Sequence, residues 1–220
     1  MKDLFGNALL DYQNGISTGS MPEDIITWTN ISDEDVLPLP YLFRDFKDMP
    51  KLEQKALQLA KGSVLDVGCG SGSHSLYLQK KGLQVKAIDI SKGAIEVAKQ
   101  RGVLNAEVKN ILDETETFDT ILLLMNGTGI FQELSQVSKY VSHLKSLLKP
   151  NGQILIDSSD IKYMYEDEDG GFWQDMNMNY YGELDYFLSY KGEKELPMKW
   201  LYLDFNTLNL ACETLGLTCE

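Results

Sequence analysis

The stretch that decides the fold is Val64-Leu65-Asp66-Val67-Gly68-Cys69-Gly70-Ser71-Gly72-Ser73-His74-Ser75-Leu76. It begins with a short apolar run, which is typical of a buried parallel strand. Three glycines follow at alternate positions, and Ser71 and Ser73 are suited to cap a helix that continues beyond Leu76. A strand, a tight glycine turn and a helix N-terminus in this order predict bare backbone N–H groups that face a ligand. Asp66 ends the strand, where it can accept from a cationic or hydroxyl group of that ligand.

The glycine spacing separates two classes of ligand. A dinucleotide-binding turn would have its third glycine at position 73, but Ser73 stands there and the glycine is Gly72. An acid followed by glycines at alternate positions resembles motif I of the class I S-adenosylmethionine-dependent methyltransferases. The resemblance implies that Asp66 lies near the methionine amino group. It also implies that the methionine and ribose parts lie against the backbone of Gly68, Cys69, Gly70 and Gly72. The alternative is a glycine turn with a structural role alone.

The same resemblance implies donor contacts further along the chain. The predicted second strand ends in Asp89, which would accept from the two ribose hydroxyls, with Ile90 against the adenine. The alternative is that Asp89 is a turn acid before the next helix. Asn110 stands where the family most often has an aspartate contacting the adenine amine, with Ile111 beside it. At the end of the fourth strand, we expect Met125 and Asn126 to face the methyl donor.

The family resemblance implies a three-layer α/β/α sandwich with a doubly wound, mostly parallel sheet. Residues 1–50 are expected to form an N-terminal lead-in and lid, and residues 51–220 the S-adenosylmethionine-binding domain. Within that domain, residues 161–204 are rich in aromatic side chains and predict a β-hairpin insertion after strand five. A sixth strand is expected to start at Leu217 and the family's seventh strand to be missing, as in a fragment. An unpaired sheet edge of that kind would favour a homodimer.

The predicted lid and insertion supply candidates for binding the methyl acceptor. In the lead-in, Leu9, Leu10 and Ile16 predict a short helix, and Asp33-Glu34-Asp35 is expected to break regular structure. The candidate substrate residues are Tyr12, Arg44, His74, Thr128 and Trp173. For Thr128 the competing interpretation is a glycine-rich turn that only shapes the pocket, and for the others it is packing or solvation. No residue identifies itself as a catalytic base.

Composition and charge narrow the function further. The chain has 220 residues, 43% of them hydrophobic, and a formal net charge of −13 at pH 7. A negative field repels phosphate backbones, so nucleic-acid substrates are not expected. No apolar run approaches the roughly 18 residues that span a membrane, and no signal-peptide pattern opens the chain, so a cytoplasmic protein is expected. Three cysteines do not suggest a disulfide framework, and the acidic run Glu166 to Asp169 has no metal-ligand spacing.

Together these observations favour an S-adenosylmethionine-dependent methyltransferase that acts on a small molecule. The loop after the fourth strand lacks the Pro-Pro pattern that the family associates with methylation of amino nitrogens on bases or glutamine. Three alternatives remain at this stage. They are a protein or RNA methyltransferase of the same fold, a regulatory protein that binds the donor without turnover, and a nicotinamide enzyme.

Overall fold

The computed structural model describes residues 2–166, 171 and 180–220. The candidate substrate residue Trp173 and three residues of the acidic run, 167–169, lie outside this part of the chain. None of the helices in the described ranges combines the length and the apolar character that crossing a bilayer requires.

Strands and helices alternate along most of the chain. The strands are β1 (Ile25–Thr29), β2 (Ser32–Leu37), β3 (Ser63–Val67), β4 (Gln84–Asp89), β5 (Ala106–Val108), β6 (Phe118–Leu123), β7 (Leu148–Ile156), β8 (Glu183–Tyr190), β9 (Glu193–Lys194) and β10 (Met198–Leu201). The helices are α1 (Leu4–Thr18), α2 (Leu39–Leu42), α3 (Lys51–Leu59), α4 (Ser73–Lys80), α5 (Lys92–Gln100), α6 (Val137–Ser146) and α7 (Phe205–Thr214).

The central sheet has the order β5-β4-β3-β6-β7, and all its pairings are parallel. From β3 the chain winds outwards in one direction through β4 and β5, and then returns to the other side of β3 for β6 and β7. This reversal confirms the predicted doubly wound α/β fold. In such sheets ligands bind at the carboxyl ends of the strands, at the point where the winding reverses. That point is the end of β3, where the glycine turn begins.

The two central strands are buried on both faces, which is why they are apolar at consecutive positions. Leu65 and Ile121 pack in one core cluster with side chains of α6 and α7. Val64 and Leu122 pack in a second cluster on the opposite face, with side chains of α3 and α4. All four residues are fully buried. The sheet is therefore the middle of three layers, as predicted.

A second, antiparallel sheet joins the lead-in to the insertion. Its order is β10-β8-β1-β2, and β9 pairs with β8. The predicted insertion hairpin is present as β8 and β10, but the prediction that Asp33-Glu34-Asp35 breaks regular structure is wrong. These residues lie in β2, which pairs with β1, and β1 in turn pairs with β8. The acids are exposed because β2 is the edge strand, where charged side chains are favoured.

Both ends of the described fold differ from the predictions. The first helix is longer than expected, because Asp3 caps its N-terminus and Gly19 ends it in the left-handed conformation. At the other end, the predicted sixth strand is wrong, since residues 217–220 form no strand. Leu217 instead packs against the cluster beneath α6 and α7.

Candidate functional site

The glycine turn after β3 depends on its glycines for two different reasons. Gly68, Gly70 and Gly72 have φ angles of +70°, +52° and +83°, which side-chain-bearing residues rarely adopt. A Cβ on Gly72 would lie 2.7 Å from Cγ2 of Val103, so this glycine lets the turn pack closely against the chain beyond α5. A Cβ on Gly68 would meet nothing within 4 Å. The backbone at Gly68 is thus open to close approach by a ligand.

The prediction that this turn offers bare N–H groups is wrong for four of its amides. The N–H groups of Gly68 and Cys69 both donate to the carbonyl of Ile88, at 2.9 and 3.1 Å. The Gly70 N–H donates to Asp89, and the Gly72 N–H to the Cys69 carbonyl. These bonds tie the turn to the end of β4. A ligand would therefore meet the backbone surface of the turn rather than these four donors.

The serines of the turn are also used differently from the prediction. Neither Ser71 nor Ser73 caps α4, whose N-cap position is Gly72. Their hydroxyls donate to the Leu42 carbonyl, and both accept from the Arg101 guanidinium, at 2.7 and 3.0 Å. Arg101 also donates to the Ser71 carbonyl. This network fixes the end of α2 against the glycine turn, and the sequence analysis missed it.

Asp66 lies one residue before the end of β3, and Asp89 ends the neighbouring strand β4. Asp66 is 2% exposed, and its Oδ2 accepts from the hydroxyl of Ser75 at 2.6 Å. The two oxygens of Asp89 accept from the N–H groups of Ser91 and Gly70, each at 2.9 Å. Burial raises the pKa of both carboxyls, and the charge of Asp66 raises the pKa of Asp89 further. Parallel pairing of β3 with β4 places the two acids at the same edge of the sheet, and their contact with a methyl donor stays a prediction.

The N-terminal helix covers this site. Asp3 caps α1 through the Gly6 N–H, and its other oxygen accepts from Ser91 Oγ and the Gly93 N–H at the start of α5, at 3.0 and 2.9 Å. The Phe5 ring lies 4.0 Å from the position that a Cβ of Gly70 would take. Asp3 and Phe5 were missed by the sequence analysis, although an aspartate directly before an apolar helix is a recognisable capping signal.

The predicted adenine contacts lie at the ends of β4 and β5. Ile90 is 69% exposed, which leaves its side chain free to meet a ligand. The side-chain oxygen Oδ1 of Asn110 accepts from the Leu112 N–H at 2.9 Å and caps a short 3₁₀ helix, Ile111–Asp113. Ile111 is buried in the core, and its carbonyl contacts Nε2 of His143 at 2.8 Å. The role of these residues in donor binding stays a prediction.

The loop after β6 holds the next group of predicted residues. Met125 and Asn126 have φ angles of +68° and +61°, in the left-handed region. Asp157 holds them there, because its carboxylate accepts from the N–H groups of Met125 and Gly127, at 3.1 and 3.0 Å. Burial raises the pKa of Asp157, and these bonds act against that rise. The predicted residue Thr128 is fully buried.

The candidate substrate residues Arg44 and His74 belong to one buried network. Arg44 Nη2 lies 2.5 Å from both oxygens of Glu53, and His74 Nε2 lies 2.8 Å from Glu53 Oε2. Glu53 is 4% exposed. Burial would raise its pKa, but the hydrogen bonds with His74 and Arg44 outweigh burial, and the pKa is lowered. Tyr12 lies elsewhere, with its ring 4.6 Å from that of Phe43.

Comparisons with known proteins point in one direction. A family profile described as a methyltransferase domain matches residues 64–152. A putative methyltransferase from Geobacillus sp. is 31% identical over 114 residues, which are 49% of this chain and 46% of the relative. A malonyl-[acyl-carrier protein] O-methyltransferase from Halalkalibacterium halodurans is 30% identical over 56% of this chain and 44% of its own length. The chain thus spans less than half the length of these curated relatives.

A solved structure matches the chain throughout. It is an S-adenosylmethionine-dependent methyltransferase from Bacteroides fragilis in complex with S-adenosyl-L-homocysteine. The two sequences are 44% identical, the match covers 100% of this chain and 88% of the other, and the TM-score is 0.91. The structure of DesVI from Streptomyces venezuelae shares the fold at 15% identity, with a TM-score of 0.56.

Proposed function

Because the chain belongs to the S-adenosylmethionine-dependent methyltransferases, we propose that it transfers a methyl group from this donor to a small-molecule acceptor. The observation that carries the proposal is the 44% identity, over the whole chain, to a methyltransferase with S-adenosyl-L-homocysteine bound. The site described above supports it independently. It joins an open glycine backbone to two carboxylates at one edge of two neighbouring parallel strands.

The residues at the turn suit the two ends of the donor. Asp89 would accept from the ribose hydroxyls, because each of its oxygens takes one N–H and keeps a further lone pair. Asp66 would face the cationic end, since its Oδ2 accepts from the Ser75 hydroxyl and the carboxylate keeps further lone pairs for the donor. Gly68 would allow the donor to lie directly on the backbone. The donor, when bound, supplies a methyl group on a positively charged sulfur.

Beyond binding the donor, the protein has to position the two reactants. Methyl transfer is an in-line displacement, so holding the two reactants close, aligned and away from water supplies much of the acceleration. The helix α1 covers the turn from one side, and the loop held by Asp157 bounds the carboxyl edge of β6. A general base is required only when the acceptor atom carries a proton that must leave.

A small-molecule acceptor is favoured over a nucleic acid by charge. The net charge of −13 opposes the approach of a phosphate backbone. The loop after β6 reads Met125-Asn126-Gly127-Thr128 and has no Pro-Pro pair. Both features were recognised in the sequence.

Calorimetry followed by a turnover assay tests the proposal. S-adenosyl-L-homocysteine should bind with one site per chain, and NAD should not bind. Release of S-adenosyl-L-homocysteine from the methyl donor should then increase with at least one member of a small-molecule panel. Tight binding of S-adenosyl-L-homocysteine without turnover of any panel member would instead favour a regulatory protein. Binding of NAD, and not of S-adenosyl-L-homocysteine, would refute the proposal.

A further inference from the structure

An open groove of about 440 Å³ lies along the antiparallel sheet. Its volume is in the range of about 300–1,000 Å³ that small-molecule sites occupy. Its lining includes the acids Asp33, Glu34 and Asp35 of β2 and the rings of Trp28, Tyr186 and Tyr202. We call this feature the sheet groove. The donor site described above does not use it.

Strand register places one acid and one ring of the sheet groove on the inner face of the antiparallel sheet. Thr27 pairs with Leu188 on one side and with Asp35 on the other, and residues directly opposite each other share a face. Leu188 is buried in the cluster with α1, so Asp35 belongs to the face that is turned toward α1. Tyr186 is two residues from Leu188 and lies on the same face. The inner face therefore carries both an acid and an aromatic hydroxyl.

One residue of the groove lining, Tyr202, adjoins a segment that is bonded to the carboxyl edge of the central sheet. Tyr202 follows Leu201, whose carbonyl accepts from Asn126 Nδ2 at 3.2 Å and from Thr128 Oγ1 at 3.0 Å. The next N–H, that of Leu203, donates to Ser158 Oγ at 2.8 Å. Asn126, Thr128 and Ser158 follow β6 and β7, at the edge where doubly wound sheets bind their ligands. Tyr202 thus lines the groove and stands in the chain between two residues that are bonded to this edge.

The charges in the sheet groove have one sign. Its lining within the described residues contains three carboxylates and no Lys, Arg or His. Asp33, Glu34 and Asp35 take part in no ion pair in the described part of the chain. Strand register places Trp28 on the outer face, where Lys194 lies 4.6 Å from the centre of its ring. On the inner face the groove keeps an acid and an aromatic hydroxyl, with no cationic side chain among the described lining residues.

We propose that the sheet groove binds the methyl acceptor and that this acceptor carries a protonated amino group. The inference rests on the proposed methyl transfer and adds the class of substrate to it. Carboxylates attract an ammonium group over a distance, and aromatic faces attract the same group at contact. An anionic acceptor would meet repulsion from the groove and from the whole protein. The ammonium group is the recognition element, and Tyr202 directs the bound molecule toward the loop after β6.

A matched-ligand assay tests the proposal. Primary aryl- and alkylamines, with the alcohols and carboxylates of the same carbon skeletons, are titrated calorimetrically into the protein saturated with S-adenosyl-L-homocysteine. At least one amine should bind tenfold or more tightly than its alcohol and its carboxylate, and 0.5 M NaCl should reduce the preference because salt screens exposed charges. The absence of any amine-selective ligand, or a preference for carboxylates, would overturn the proposal.

Variants identify the groove as the source of the preference. Asp33→Asn, Glu34→Gln and Asp35→Asn combined should abolish the amine preference, while Glu23→Gln, which neutralises an exposed acid outside the groove lining, should keep it. Asp35→Asn alone should reduce the preference for amines, and this single variant replaces the triple variant in the test if the triple variant aggregates. If the acids only protect the edge strand from pairing, the triple variant will dimerise with its amine preference intact, which would overturn the proposal.

Titration with S-adenosyl-L-homocysteine distinguishes a failure of this inference from a failure of the proposed function. Every variant should bind S-adenosyl-L-homocysteine with unchanged affinity, because none of the substituted acids lies at the glycine turn. Failure of the wild-type protein to bind it would count against the proposed function. Normal binding of that compound without amine selectivity would count against the groove alone.

Discussion

Replacing Glu53 by glutamine should destabilise the protein strongly. The Glu53 carboxylate compensates the charge of Arg44 at 2.5 Å, and it contacts His74 at 2.8 Å. The side chains of Arg44 and Glu53 are each only 5% exposed. Removing one partner of a buried ion pair leaves an uncompensated charge and costs about 3–5 kcal/mol. We therefore expect Glu53→Gln to lower the free energy of unfolding by about 3 kcal/mol or more.

Urea unfolding monitored by fluorescence and by circular dichroism measures this loss. Glu213→Gln is the matched control, because Glu213 is an exposed helix residue bonded only to Asn209, and its change should stay within about 0.5 kcal/mol. The difference between wild type and Glu53→Gln should also depend on pH. The folded-state pKa of Glu53 is lowered, so its stabilisation is complete above its ordinary value of about 4.3 and is lost as the pH falls further.

A small effect would refute this reasoning. If the free energy of unfolding of Glu53→Gln at pH 7 is within about 1 kcal/mol of the wild-type value, the buried charge of Arg44 does not require compensation by this carboxylate. A loss of stability that is equal at pH 3 and pH 7 would show that the charge of Glu53 is not what stabilises the network.

Two further predictions concern the glycine turn and its cover. Gly72→Ala should lower the free energy of unfolding by about 1–3 kcal/mol more than Gly82→Ala, because both positions have φ above +80° but only Gly72 lies against Val103. Urea unfolding of the two variants measures this difference, and equal losses of stability would contradict a steric clash with Val103. Asp3→Ala should lower the free energy of unfolding by about 0.5–2 kcal/mol and should speed amide hydrogen exchange in α1, whereas the control Glu23→Ala should change neither. Unchanged exchange in Asp3→Ala would show that this cap does not stabilise the helix.

Local patterns in the sequence were sufficient to predict the central sheet. The consecutive apolar residues of β3 and β6 predict strands buried on both faces, and the structure confirms it. Asp66 lies one residue before the end of β3 and Asp89 ends β4, so their placement at one edge of the sheet follows from the parallel pairing of these strands. These features depend on residues close in sequence, or on the regular geometry of a wound sheet.

Pairings between distant segments could not be predicted in the same way. Ile26 pairs with Ser189, and Ser32–Leu37 carries three acids in place of an alternating apolar pattern, so nothing local identifies β2. The amides of the glycine turn are satisfied by Ile88 and Asp89, which only the fold brings near. Asp157 was missed because its partners belong to a loop about thirty residues earlier in the chain.

The affinity of Asp89→Asn for S-adenosyl-L-homocysteine tests the central claim most directly. Asparagine keeps the shape of the side chain but removes the charge and one acceptor oxygen, so the ribose hydroxyls lose a charge-assisted partner. Calorimetry should show binding weaker by about 1–3 kcal/mol, with Asp48→Asn, which changes an exposed acid outside the described site, binding like wild type. Equal affinity of Asp89→Asn and wild type would contradict the assignment of this carboxylate to the methyl donor.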